Sequence, residues 1–469
     1  MNLILGAGLA GLSSSYHLGH DKCLVLEKSS HTGGHVYSRI VDGFTWDEGP
    51  HVSFTKHQYV RKFFAESVDD EFSDYPVRVG NYYHGHWIDH PAQCSLHQVP
   101  EPLRTECFRS FLDSRPLSGT TPLPPKNYAE WLEQSLGPVF AREFSEKYTR
   151  KYWTVDAEQL TAEWVGGRVY APSIEDVQAG YDGTFGESKH YIMEVRYPKK
   201  GGYNAYTQLL RRGCNVELNS EVTSIDLNNK CVATSLGKTY AYNRLINTLP
   251  LPVFIKMCRG VPANVVMAAK QLLCTQLLLV NVRAKHPTMR PENWMYVYDE
   301  DKFSTRIHCV EKLTPGNAPK GWTGIQVEVY SNPLKPLPAD RAEIGGRVVE
   351  ELIEMGLIAP ENLTQPGEIY RDLLSVQWAN PVFTFATEPA LKEIWAWLET
   401  YGLYREPDDL YPLTKWTDTP NPLPANNATL FMAGRFGQWK YFWSDDCVLR
   451  GRHLAAAVGH SSQESTENV

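Results

Sequence analysis

The sequence predicts an α/β fold with a Rossmann-like unit at its start, and three observations predict it. A short apolar strand, Leu3-Ile4-Leu5, runs straight into Gly6-Ala7-Gly8-Leu9-Ala10-Gly11-Leu12 and then into a helix-like run through Tyr16 and Leu18. A second apolar strand, Cys23-Leu24-Val25-Leu26, ends in the acid Glu27, about 20 residues after the glycine turn. Near the other end, Leu430-Phe431-Met432-Ala433 forms a further strand that reaches Gly434-Arg435.

Each element has a physical role. Gly6 allows the tight turn, Gly8 lets the backbone approach a pyrophosphate, and Gly11 lets the helix pack close to the strand. The first helical turn, at Leu9 and Ala10, offers free N–H groups and the positive end of the helix dipole to an anion. Glu27, with Lys28 beside it, stands where a carboxylate grips ribose hydroxyls. The glycine triplet alone is a weak signal; joined to Glu27 it predicts dinucleotide binding. The paired glycine of His31-Thr32-Gly33-Gly34-His35 lets the backbone lie against an extended ligand, with Ser38 and Arg39 available for polar contacts. Phe44-Thr45-Trp46-Asp47 reads as a strand, and Gly49-Pro50-His51 as a turn that places an imidazole at its end.

From about Gly80 to Glu194 the pattern becomes mainly helical, with Tyr128, Trp131, Leu132 and Leu136 at amphipathic spacing and a helical run from Phe144 to Trp153. Arg168, near Trp153 and Trp164, suits a nucleotide diphosphate, because a guanidinium forks onto phosphate while an indole stacks on the base. A helix through Tyr206, Leu209 and Leu210 follows, then a strand at Cys214–Leu218, Val222, a hairpin-like stretch at Asn228–Val232, and a strand that ends at Asn247-Thr248-Leu249-Pro250. Residues 271–400 read as a sheet with strands at Leu277–Val282, Trp294–Tyr298, Arg306–Val310 and Gly324–Tyr330, followed by a helix at Leu391–Leu398. Five prolines between Arg405 and Asn427 make that stretch a loop. After Gly434-Arg435-Phe436-Gly437-Gln438-Trp439-Lys440-Tyr441, a helix capped by Ser444 or Asp445 runs through Leu449 and Leu454, and the tail from Ser461 is polar. Three expected units result: residues 1–80, 195–270 and 430–469 around the dinucleotide, 81–194 mainly helical, and 271–429 an antiparallel sheet with helices and the proline-rich loop 405–427.

Bulk properties bound the function. The 469 residues suffice for two or three domains with sizeable cores, and a net charge of −8 gives no electrostatic case for nucleic acid or an anionic membrane. Nine scattered cysteines without a Cys-x-x-Cys pair indicate neither a zinc site nor a disulfide scaffold, so no metal is expected and a reducing cytoplasm is. The longest apolar runs, at 245–255 and 272–280, are too short to span a bilayer, and no signal peptide is expected.

The glycine turn, the ribose acid, the Gly33-Gly34 element and the Asp47-x-Gly49-x-His51 turn together resemble the glutathione-reductase-type flavoproteins. Within them the chain is similar to the amine oxidase and protoporphyrinogen oxidase superfamily, and especially to the UDP-galactopyranose mutases. Trp87–Gln93, Trp294-Met295-Tyr296, Ser304-Thr305-Arg306 and above all Gly434–Tyr441 carry the likeness. The resemblance implies a glutathione-reductase-type FAD domain with a helical insertion and a substrate-binding sheet. It implies FAD along Gly33-Gly34, adenine near Val222, and His51 near the flavin. It also implies a substrate diphosphate held by Arg306, Arg435 and Tyr441, with Arg168 and Trp153 beside them. Two positions depart from the mutase pattern. Asn380 stands where a tyrosine grips the diphosphate, and Asp445-Asp446 replaces an Asn-Gln pair.

Two enzymatic readings follow. One is a ring isomerisation of a nucleotide-linked sugar by reduced FAD, with NAD(P)H as a candidate flavin reductant. The other is an FAD-dependent oxidation of an amine, a sugar carbon or a C–C bond, which the missing phenol and the paired acids favour. A flavin-binding scaffold without activity is a third, opposed by the intact Gly434-Arg435 and His51 elements.

Overall fold

A computed structural model describes residues 1–116, 123–184, 194–359, 369–413 and 422–464 of the chain. A five-stranded sheet has the strand order Leu430–Met432, Arg244–Asn247, Asn2–Leu5, Cys23–Leu26, Val216–Glu217, and every pairing in it is parallel. The strands Asn2–Leu5 and Cys23–Leu26 are buried along their whole length, as their unbroken apolar runs require in a sheet covered on both faces. The helix Leu9–Leu18 follows the first strand, and the long helix Ser444–Glu464 packs across it. That crossing is close because Gly451 has no side chain; a Cβ there would collide with the Ser13 backbone, and Ser13 Oγ donates to Val448 O at 2.6 Å. The first and last strands of the chain therefore flank one neighbour, Arg244–Asn247.

A seven-stranded sheet has the order Ile369–Pro381, Cys274–Ala284, Thr323–Ser331, Arg306–Cys309, Trp294–Val297, Val79–Tyr83, His86–Asp89. Its pairs are antiparallel except Trp294–Val297 with Val79–Tyr83. One face is apolar: Val280, Val327, Ile307 and Met295 lie across from one another and meet Ile344, Val348 and Leu352 of the helix Arg341–Glu354. The opposite face carries two cross-strand rows of mostly polar residues, Asn281–Gln326–His308–Trp294 and Leu279–Glu328–Arg306–Tyr296. Alternation at period two produces both faces at once.

The structure departs from the sequence reading at three places in this sheet. Val79–Tyr83 and His86–Asp89 join it, although they begin the stretch read as mainly helical. Ile369–Pro381 is a 13-residue strand that the sequence reading lacks; Arg371, Asp372, Ser375 and Gln377 interrupt its apolar residues, as suits an edge strand. The proline-rich stretch has no helix or strand over its described residues, while 414–421, including Pro420, lie outside them. Helices at Leu103–Asp113, Tyr128–Leu136, Glu146–Tyr152 and Ile174–Asp182 make up the mainly helical stretch. Among the described residues, no helix is long and apolar enough to cross a membrane.

Candidate active site

The glycine elements converge at the C-terminal ends of the parallel strands, where ligands of open α/β sheets bind. Gly6 has φ +95°, and a Cβ on it would meet Thr248 Oγ1 at 2.6 Å. A Cβ on Gly11 would overlap the Gly6 carbonyl oxygen, so the helix reaches the strand only without a side chain there. Gly8 differs: the nearest atom to a Cβ on it is Gly34 Cα at 3.9 Å, which leaves open space above the turn. Gly8 precedes the helix Leu9–Leu18 without any side-chain cap, leaving the N–H groups of Leu9, Ala10 and Gly11 for an anion. The Gly33-Gly34 segment packs on this turn through Gly33 N to Ala7 O at 2.8 Å. Gly434 closes it from the other end of the chain, with a would-be Cβ 2.7 Å from Ala10 Cβ.

Glu27 sits buried at the end of its strand, accepting from Ala7 N at 2.7 Å and Ser29 N at 2.9 Å. Each carboxylate oxygen keeps a lone pair for a ribose hydroxyl. Val222 begins a strand two residues after Ser220, whose N–H bonds the Glu27 carbonyl at 2.8 Å. Lys28 is exposed, and His35 pairs with Glu48 at 3.0 Å. The open space at Gly8, the uncapped helix and the acceptor at Glu27 fit a dinucleotide such as FAD.

The Asp47–His51 turn links this cradle to the seven-stranded sheet. Asp47 is structural: it accepts from Ser38 Oγ at 2.5 Å, Tyr197 OH at 2.7 Å and Tyr203 N at 3.1 Å. Ser38, read as a ligand contact, is thus engaged inside the protein. Gly49 N donates to Gln326 Oε1 at 3.0 Å. Burial above all, with the Arg435 charge helping against the opposing pull of the Gly49 carbonyl, pushes the His51 imidazole down to about 4. His51 is therefore neutral at pH 7. Beneath this turn His308 is fully buried, neither ring nitrogen has a hydrogen-bond partner, and burial holds it neutral as well.

Beyond the turn, three arginines and a group of tyrosines form one cluster, called the chamber below. Arg168 and Arg435 lie over the Tyr441 ring, at 4.8 and 5.3 Å from its centroid, and Arg168 also covers Trp443 at 4.1 Å. Arg168 Nη2 donates to Tyr441 O at 2.8 Å. Arg435 donates from Nε to Phe442 O at 2.6 Å and from Nη1 to Asn380 Oδ1 at 3.0 Å. Asn380, one of the two departures from the resembled pattern, here holds an arginine in place. Trp153 meets Tyr441 edge-on with centroids 5.3 Å apart, and Tyr152 OH lies 3.4 Å from Tyr441 OH. Arg306 forms a fork with buried Glu328, at 2.6 and 2.7 Å, and Tyr330 OH donates to the same carboxylate at 3.0 Å.

Glu328, Tyr330, Tyr152 and His308 fall within elements of the sequence reading but are not among its candidate site residues. A signal for Glu328 exists in Gln326-Val-Glu-Val-Tyr330, where every second residue of an otherwise apolar strand is polar. The cap of the last helix also differs. Asp446 Oδ2, not Asp445 or Ser444, accepts an N–H, from Trp443 at 2.8 Å, while Ser444 Oγ lies 2.6 Å from Tyr203 OH. Burial pushes the Asp446 carboxyl up to about 7, the Asp445 charge adding to it.

Comparison with known proteins agrees with this geometry. The sequence model of the family described as flavin containing amine oxidoreductase matches residues 9–458. Among solved structures, reduced UDP-galactopyranose mutase superposes with a TM-score of 0.84 at 20% identity, covering 99% of this chain and 95% of the other. A protein from Exiguobacterium sp. 255-15 assigned as a protoporphyrinogen oxidase gives 0.69 at 14% identity, covering 97% and 98%. Putrescine oxidase gives 0.60 at 14% identity, covering 98% of each. At these identities the likeness to each structure establishes the fold. The family match covers nearly the whole chain, and the chain belongs to the flavin-containing amine oxidoreductases, with FAD as its cofactor.

Proposed function

We propose that this flavoenzyme isomerises the ring of a nucleotide-linked sugar, in the manner of a UDP-galactopyranose mutase. The observation that carries the reading is the pair of guanidinium groups, Arg168 and Arg435, on the Tyr441 ring. Two fixed cations beside a phenol suit a diphosphate, which accepts several charge-assisted hydrogen bonds at once. Arg435 leaves Nη2 for such a ligand, and Arg306 faces the same chamber. Trp153, expected to touch the ligand, is buried and instead supports the Tyr441 ring edge-on, leaving Tyr441 as the aromatic surface. Residues 1–80, 195–270 and 430–469 form the FAD-binding domain in this reading, and 81–194 and 271–429 bind substrate.

Reduced FAD supplies the nucleophile for such an isomerisation, which leaves no net redox change. The chain's own residues bind and orient. The N-terminal end of the helix Ser444–Glu464 favours the negative charge of a reduced flavin, and neutral His51 adds no competing cation. NAD(P)H is the proposed reductant, and the cytoplasm the proposed compartment.

A second reading, net oxidation of a neutral or cationic substrate, is favoured by one observation: Glu328 neutralises Arg306. Product analysis separates the two. The FAD-loaded protein, reduced with dithionite and mixed with UDP-galactopyranose under argon, is expected to yield a UDP-sugar isomer. An absence of isomer with every UDP-hexose tried, together with bleaching of oxidised flavin and peroxide release on an amine or sugar, would establish the oxidase reading instead.

A further inference from the structure

The three arginines of the chamber are not equivalent, and the difference lies in one carboxylate. Glu328 stands on Thr323–Ser331 between two valines that face the apolar side, so strand alternation directs its side chain toward the chamber. Its side chain is 1% exposed, while that of Arg306, on the neighbouring strand, is 23% exposed. A carboxylate this buried persists only if it is paired and hydrogen-bonded. Arg306 supplies Nε at 2.6 Å and Nη2 at 2.7 Å, and Tyr330 OH supplies a third bond at 3.0 Å. The backbone of the His51 turn seals the pair from above, since a Cβ on Gly49 would lie 2.7 Å from Glu328 Oε1.

The fork consumes two of the five N–H donors of Arg306 and neutralises its charge. Arg435 is held differently. Its hydrogen bonds go to the Phe442 carbonyl, the Asn380 amide oxygen and the Ala379 carbonyl, all neutral, so no carboxylate forks its guanidinium as Glu328 does that of Arg306.

We infer that Glu328 is a specificity-determining residue: it is the resident counter-ion of Arg306, and an anionic ligand engages that arginine only in competition with it. The chamber thus has two cations, Arg168 and Arg435, on offer and one, Arg306, held in reserve. A neutral or singly charged ligand leaves the Arg306–Glu328 fork intact, whereas a diphosphate carries enough charge to compete for it. Glu328 in this way sets a threshold of ligand charge. The inference rests on the reading that Arg306 faces the phosphates of a ligand.

The test uses inorganic pyrophosphate as the probe and calorimetry on the FAD-loaded protein, so that it does not depend on turnover. Glu328→Gln keeps the shape and one acceptor but removes the charge; pyrophosphate is expected to bind about tenfold more tightly. The gain should vanish in the double variant Glu328→Gln, Arg306→Gln. Unchanged or weaker binding in Glu328→Gln, or a gain that survives loss of Arg306, overturns the inference. If Glu328→Gln does not retain flavin, Tyr330→Phe serves. Freed of the phenol, Glu328 should hold Arg306 more firmly, and pyrophosphate should bind about two- to threefold more weakly; equal or tighter binding counts against the role of Glu328. Failure of the isomerase assay alongside a Glu328→Gln gain would leave this inference standing and remove only the substrate assignment.

Discussion

The nucleotide cradle and the chamber face of the seven-stranded sheet solve the problem of binding in opposite ways. The cradle is made of backbone: Gly6, Gly8, Gly11, Gly33, Gly34 and Gly434 meet because none has a side chain, and the anion site is a row of peptide N–H groups. The chamber is made of side chains, with Glu328, Arg306 and Tyr296 brought into one row by sheet register and Arg168 stacked with Arg435 and Tyr441 from two separate segments. A backbone site tolerates no added bulk, whereas a side-chain site tolerates changes of shape and is sensitive to charge.

The largest expected effect belongs to the cradle. Gly11→Val would force the helix off the strand, because even a Cβ overlaps the Gly6 carbonyl oxygen. The variant should be recovered without flavin or not at all, as read from the flavin absorbance of purified protein; a yellow variant with an unchanged melting point would break the contrast. Next comes a buried charge behind the chamber. Lys440 is fully buried and lies 3.1 Å from Asp408 Oδ1, its ammonium also donating to Asp408 O at 2.9 Å. Asp408→Ala leaves the buried ammonium without its partly exposed carboxylate and should cost about 2 kcal/mol in denaturant unfolding; a loss below about 1 kcal/mol would show that Lys440 does not need the carboxylate.

Within the chamber, Arg435→Ala should weaken UDP binding about 100-fold while flavin content holds. Loss of flavin with UDP affinity intact would move Arg435 to the cofactor side and blur the division. The smallest effect is one of pH. Burial and Asp445 keep Asp446 protonated up to about pH 7, and Arg168 and Arg435 both act on it. As pH rises through 7, Asp446 ionises, adds negative charge beside both arginines, and UDP affinity should fall a few-fold; Asp446→Asn should flatten that step. The same raised value means that Asp446 contributes stability below its ordinary range near 4, which is lost as pH rises through about 7. Titration calorimetry from pH 6 to 8 reads the first effect and thermal melts the second.

The cradle was legible in the sequence because its parts are local and bound to a fixed order of strand, turn and helix. Glu27, Gly33-Gly34 and Gly434 needed only spacing and residue type. The chamber was legible only where a residue belongs to a continuous motif, as Arg435 and Tyr441 do. Glu328 and His308 owe their place to sheet register, which no single stretch of chain carries. Ile369–Pro381 escaped notice because its polar residues break the alternation that marks a strand. The tie between Lys440 and Asp408 joins the closing motif to the proline-rich stretch across 32 residues, and nothing in either segment announces it.

A crystal structure of the FAD-loaded, reduced protein with UDP tests the central claim most directly. The expected result has the FAD pyrophosphate on the N–H groups of Leu9–Gly11 and the UDP phosphates between Arg168 and Arg435, within hydrogen-bond reach of both and against Tyr441. Phosphates of UDP bound away from both arginines, or a chamber that closes without admitting them, would contradict it.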